Sequence, residues 1–211
     1  MSFRTLSLMT VLVSACAADV GEGRVEATVT DATPATEAAA PANAEARTLA
    51  VDPSRSKLGL IGAKVTAQHP IHFNEFSGNV TVEGSELTGV SFTAQIASVE
   101  SDADRLTEHL KGEDFLYAEM YPTAEFASTS ITPGSDAEGD WTHTVTGNFT
   151  IRGVTKQISF PAKVSVTDAG VEATTEFVID RQDFGVAYPG RADDLIQDNV
   201  AMQIHFVAPA A

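Results

Sequence analysis

The chain has 211 residues, a formal net charge of −16 and a pI near 4.5. That balance argues against nucleic acid or an anionic lipid surface as a partner. Its single cysteine rules out an internal disulfide, and no apolar run reaches the roughly 20 residues of a membrane-spanning helix. Any fold must therefore rest on its core alone.

Residues 1–15 read as a secretory signal, with Arg4 as the positive n-region and residues 6–13 as a short apolar stretch. Val13-Ser14-Ala15-Cys16 resembles the lipobox of bacterial lipoproteins, in which the cysteine is acylated and becomes the first mature residue. The alternative is ordinary secretion, with Ala15-Cys16-Ala17 as a small-residue cleavage site. Under the lipoprotein reading Cys16 is the lipid anchor, the protein lies in the periplasm or cell envelope, and Ala17 after the cysteine favours the outer membrane. Residues 16–47 are Ala, Thr, Glu, Pro and Gly with almost nothing to bury. They read as a disordered tether spanning on the order of 30 Å.

From residue 48 to residue 211 the pattern becomes apolar alternation between turn signals, the mark of an antiparallel all-β domain. Strands are expected over residues 57–66, 73–82 and 90–96, with glycines at 59 and 62 marking bends or bulges. The period then changes. Ser101 stands where a helix cap belongs, with Asp104 three residues on, and Ala103, Leu106 and Leu110 share one face. A helix over residues 102–111 is expected, ended by Gly112, with Asp102 and Arg105 able to pair. Alternation resumes over residues 123–131, 141–151, 155–166, 171–179 and 199–207, with Arg152-Gly153 as a tight hairpin. Eight to nine strands with one apolar face each make either a barrel or a sandwich.

Several motifs carry a resemblance. Arg105-x-x-x-His109-Leu110, Asp114-Phe115-Leu116 and Tyr121-Pro122-Thr123-Ala124-x-Phe126-x-Ser128 follow one another in order. The run from Gly147 through Lys156 and Ile179-Asp180-Arg181-x-x-Phe184-Gly185 come after them. This series resembles the YceI-like polyisoprenoid-binding family. The resemblance implies an antiparallel lipocalin-like β-barrel of about eight strands with one short helix, enclosing an elongated apolar pocket. It also implies a polyisoprenoid or quinone-like lipid as the bound molecule and an amphiphilic lipid as partner. No other cofactor, no metal and no nucleic acid are expected, and a homodimer is the protein partner left open.

The implied pocket would draw its wall from Phe73, Phe76, Phe92, Ile96, Leu106, Leu110 and Phe115 in the first half of the domain. Phe126, Phe149, Phe160, Phe177, Phe184, Met202 and Ile204 would complete it. Sequence alone does not separate these from residues that simply fill a core. The polar loop from Tyr188 to Ile196 is longer than the family leads one to expect.

Evidence for catalysis is missing from the motifs: there is no Gly-Xaa-Ser-Xaa-Gly, no phosphate-cradling glycine loop and no thiol beyond Cys16. His69 and His72 lack a third metal ligand at useful spacing. Asp104, Arg105 and His109 read as a network holding the helix rather than as catalytic groups. The expected function is an envelope-tethered lipid-binding protein for sequestration or transport. The alternatives are a lipid-modifying isomerase or hydrolase, or a stress or envelope interaction protein with no ligand.

Overall fold

The computed structural model describes residues 19–32, 46–135 and 140–210. The alternating segments become β1 (Thr28–Asp31), β2 (Ala46–Ala50), β3 (Lys57–Lys64), β4 (Ala67–Phe73), β5 (Phe76–Glu83), β6 (Glu86–Gln95) and β7 (Val99–Ser101). After helix α1 (Asp104–Lys111) come β8 (Thr123–Pro133), β9 (His143–Ile151), β10 (Val154–Thr167) and β11 (Gly170–Asp180). The chain ends with a short hairpin, β12 (Gly190–Arg191) and β13 (Asp194–Leu195), and with β14 (Asn199–Pro209).

Twelve strands form one antiparallel sheet in the order β2-β5-β6-β8-β9-β10-β11-β14-β3-β4-β7, with β1 added to β10. The all-β class with one short helix holds, although the strands outnumber the expected eight. Beyond β1 and β2, which precede the first expected strand, and the β12–β13 hairpin, the extra strands β4 and β7 arise at two corners. Only Asn74 and Glu75 separate β4 from β5, and a 3-10 turn, Ile96–Ser98, separates β6 from β7. Phe73 faces Val99 before the corner and Phe76 faces Ala94 after it. One bent ribbon thus belongs to both ends of the strand order, so the sheet curls around its apolar face. Strand β4 lies where a loop was expected at the paired histidines: Pro70 sits in the ladder opposite Ile61.

Alternation carries the core. Val80 and Val82 of β5, Phe177 and Ile179 of β11 and Met202, Ile204 and Phe206 of β14 all point inward and are buried. Between β9 and β10, Arg152 and Gly153 both adopt positive φ (51° and 72°), as a two-residue hairpin demands. A Cβ at Gly153 would stand 2.6 Å from the Tyr121 ring, so the turn also needs glycine for space.

Two expectations are corrected. Residues 19–32 are not a tether. Val20 is fully buried against Ala63, Val178 and Ala201 on the outside of the sheet. Ala27 donates to the Val178 carbonyl at 2.8 Å and β1 runs antiparallel to β10 from Thr28↔Ser159 to Asp31↔Lys156. Arg24 meets Glu176 at 2.6 Å. Four apolar side chains and an unsatisfied edge were enough to dock a stretch whose composition is otherwise that of a linker. Residues 46 and 47, also expected in the tether, open β2; tether residues 16–18 and 33–45 and the signal segment with its lipobox lie outside the described residues.

The helix is shorter than expected and is not capped by Ser101. Its N-cap is Ala103, with no side-chain bond to the cap. The Ser101 hydroxyl instead accepts from the Ala103 amide (3.2 Å) and donates to the Ala103 carbonyl (2.9 Å), because Ser101 is still held in β7 opposite Ile71. Asp102 turns away from Arg105 to His69, 2.8 Å from its Nδ1.

Candidate functional site: a divided barrel interior and its mouth

The interior of the curled sheet has two unequal halves. At the end where β9 starts, Phe92, Phe126, Phe160, Phe177 and Ile204 pack around voids of only about 10 and 40 Å³. Phe160 and Phe177 stack with centroids 4.2 Å apart and Phe92 stacks on Phe126 at 5.5 Å. Gly147 makes this density attainable, since a Cβ there would sit 2.5 Å from Phe126 Cζ.

At the other end lies an apolar cavity of about 120 Å³. Seven of the expected pocket residues line it: Phe73, Ile96, Leu110, Phe115, Phe149, Phe184 and Met202. Leu106 stands further out, at the mouth. The structure places Phe92, Phe126, Phe160, Phe177 and Ile204 in the packed half instead, and Phe76 against Phe206 with centroids 5.9 Å apart. These six lie outside the large cavity because strand position sets depth along the barrel, a coordinate that inward alternation does not carry. Aliphatic walls were missed for the complementary reason. Leu58, Leu60, Ile71, Ile151 and Ile179 line the cavity, and their inward phase was the signal available.

The cavity's polar neighbours point away from it. Arg181 is buried, yet its guanidinium donates to the carbonyls of Gln197 (3.0 Å) and Val186 and to Asp198 Oδ1 (2.8 Å). Each of its three guanidinium nitrogens thus has an acceptor in the segment between β11 and β14, and the cavity wall stays apolar.

Outward, Gly62, Ala63, Ile71, Leu110, Phe115 and Ile196 also belong to a wider mouth of about 440 Å³. Helix α1 forms one side of this mouth with Arg105, Leu106 and His109, and the loop from Tyr188 to Ile196 forms the other. Phe115 arrives there because Arg152 donates to the carbonyls of Glu113 (2.5 Å) and Phe115, pinning the loop after the helix. His109 bonds Asp114 at 2.8 Å and meets the Phe115 and Tyr188 rings edge-on, at 4.8 and 5.2 Å. Asp104 faces a separate surface groove with Glu108 and Lys111, so Asp104, Arg105 and His109 are not gathered into one site.

Lys64, Arg105 and Arg191 line the mouth against one carboxylate, Asp194, in a chain of net charge −16. Lys64 holds Asp194 below its ordinary pKa through a short hydrogen bond, helped by Thr66. The Arg105 side chain makes no hydrogen bond or ion pair with any described residue, so an anionic or strongly polar group at the mouth would find a donor there.

A sequence model of the YceI-like domain matches residues 49–208. The chain belongs to the YceI-like family. Among YceI-like relatives, a UPF0312 protein of Pseudomonas putida strain F1 is 30% identical over 141 residues, covering 62% of this chain and 70% of its own length. A UPF0312 protein of Shewanella sp. W3-18-1 is 32% identical over 124 residues, covering 54% of this chain and 62% of its own. Among solved structures, Burkholderia cenocepacia BcnA superposes with a TM-score of 0.66 at 25% identity, covering 75% of this chain and 99% of its own. A polyisoprenoid binding domain from Saccharophagus degradans shares the fold at a TM-score of 0.60 and 13% identity, covering 77% of this chain and 98% of its own. The YceI-like, lipocalin-like architecture inferred from the motifs is thus the one observed.

Proposed function

We propose that this YceI-like protein binds the hydrocarbon chain of a polyisoprenoid or similar amphiphilic lipid, such as a quinone, and sequesters or carries it in the cell envelope, held to the outer membrane by an acylated Cys16. The observation that carries the binding reading is the apolar cavity beneath the mouth. Its walls are mostly Leu, Ile, Phe, Val and Met side chains, and its one buried cation, Arg181, is bonded at each guanidinium nitrogen to backbone carbonyls or Asp198. Such a space offers a methyl-branched chain apolar contact and offers a water molecule no partner. Burial of chain surface there contributes about 25 cal/mol per Å² before association costs. The polyisoprenoid binding domain from Saccharophagus degradans, which shares this fold, supports the same class of ligand.

The test is mass spectrometry of organic extracts from protein purified out of its native membrane context. A prenyl lipid recovered in stoichiometric amount, and lost when Met202→Trp fills the cavity, is the expected result. Empty protein from the native envelope would count decisively against it.

A further inference from the structure

The docked N-terminal segment and the rim of the mouth lie at one end of the molecule, and together they fix how the barrel faces a membrane. Val20 donates its amide to Gln197 Oε1 at 3.1 Å, and Gln197 donates to the Ala63 carbonyl at 2.8 Å. Gln197 and Ala63 both line the cavity. Residue 20 is therefore seated a few ångströms outside the cavity wall, on the mouth side. Cys16 precedes it by four positions, so a fully extended chain sets the cysteine no more than about 14 Å from Val20. Cys16 itself could not reach the packed end, because β9 alone spans nine residues, or about 30 Å, and its acyl chains enter a bilayer only where the cysteine meets the surface.

A second, independent observation marks the same end. Among the described residues, the exposed large hydrophobics are Val25, Val65, Met120 and Leu195. Val65 follows Lys64 in the β3–β4 turn, and its amide donates to the Leu195 carbonyl at 3.0 Å. Val65 and Leu195 are thus joined through their backbones, next in sequence to Lys64 and Asp194, which line the mouth. Lys64, Arg105 and Arg191 line the same mouth; Lys64 is paired with Asp194 and Arg191 with Asp193, and Arg105 has no ion-pair partner among the described residues. The chain as a whole is too acidic for an anionic surface, but the rim combines apolar tips with cations, the pattern of a shallow interfacial contact.

We infer that the mouth rim, with Val65 and Leu195 at its tip, rests on the lipid bilayer, so that the cavity opens directly onto the membrane and its ligand passes between bilayer and barrel without crossing water. This inference rests on the binding reading, and its orientation argument uses the Cys16 anchor, whereas the rim argument does not.

The test places a single indole at the rim. Full-length protein carrying Trp141→Phe and Leu195→Trp is bound to vesicles of brominated phosphatidylcholine mixed with phosphatidylglycerol. Wild type, whose Trp141 precedes β9 at the packed end, is the control. Emission from the indole at position 195 should be quenched and that of Trp141 should not. Val65→Asp combined with Leu195→Asp should weaken vesicle association about tenfold or more. Quenching of Trp141 instead, or an unquenched indole at 195 on vesicle-bound protein, would overturn the inference. Acyl labelling at Cys16 separates the two premises: label without rim quenching leaves the anchor and removes the orientation, and rim quenching without label does the reverse. Loss of extractable lipid from wild type would remove the binding reading even with the rim quenched.

Discussion

Arg181 and Asp198 form a 2.8 Å ion pair in which the arginine side chain is 7% exposed and the carboxylate 48%. The pair ties the turn after β11 to the start of β14. Arg181 also collects the Gln197 and Val186 carbonyls, so one cation organises the loops on both sides of the cavity wall. Asp180 supports it from the preceding position by accepting from the Gln182 amide at 2.7 Å.

Arg181→Met should therefore destabilise the fold by about 3 kcal/mol, because it strands two backbone carbonyls and a carboxylate that the guanidinium now satisfies. Urea unfolding of wild type and variant checks this. A change below about 1 kcal/mol would mean that water replaces the arginine without loss.

The two helix leucines should behave differently. Leu110 is buried and lines the cavity, so Leu110→Asp should cost several kcal/mol, the burden of an unpaired charge in an apolar wall. Leu106 is only half-buried at the mouth, so Leu106→Asp should lower stability by about 1 kcal/mol or less. Thermal melts of the pair decide it, and equal losses would mean that the helix seats more deeply than the structure shows.

Gly147→Ala tests the packed half. Its Cβ would lie 2.5 Å from both Phe126 Cζ and the Ala127 carbonyl, which forces the β8–β9 ladder and a core ring to shift. A loss of about 2 kcal/mol is expected, read by chemical denaturation, with extractable lipid per folded molecule unchanged.

Docking of the N-terminal segment should weaken in acid. Arg24 holds the Glu176 carboxylate below its ordinary value of 4.5, with Gln203 assisting, and Lys156 does the same for Asp31 relative to 3.8. A depressed carboxylate pKa stabilises the docked form above the undocked value, and that contribution disappears as pH falls through the docked one. Amide exchange at Ala27 and Val29, corrected for intrinsic rates, should therefore accelerate below about pH 4. Protection that is flat down to pH 2 would show that Val20 and the β1 ladder hold the segment unaided.

What the sequence made legible followed from periodicity. Inward alternation at Phe177 and Ile179, or at Met202 and Ile204, is a two-residue rhythm that survives folding unchanged. Position along the barrel is not. Phe149 and Phe160 alternate identically, yet one borders the cavity and the other stacks on Phe177, because depth depends on register with partners far away in sequence. The bend at Asn74 and Glu75 was hidden for a related reason: with no glycine or proline of its own, it is imposed by β3 and β6 pairing on either side of it. The docking of residues 19–32 was obscured by composition, since Val20 and Ala27 are isolated among polar neighbours and become buried only against an outer sheet face that has to exist first. At the mouth, Arg105 and His109 were visible as motif residues, but Asp114 as the partner of His109 required the tertiary fold.

Phe149 and Met202 border both the large cavity and the small void beneath it. They are the lowest side chains that a bound hydrocarbon meets before the stacked phenylalanines. On the proposed function the barrel would act as a depth gauge: a prenyl chain would fill it from the closed end, and every unit beyond that fill would remain outside the protein. Lipids of different chain length would then share the same buried segment and differ only in the part left at the rim, so retention would level off with length, and headgroup position would shift outward one unit at a time.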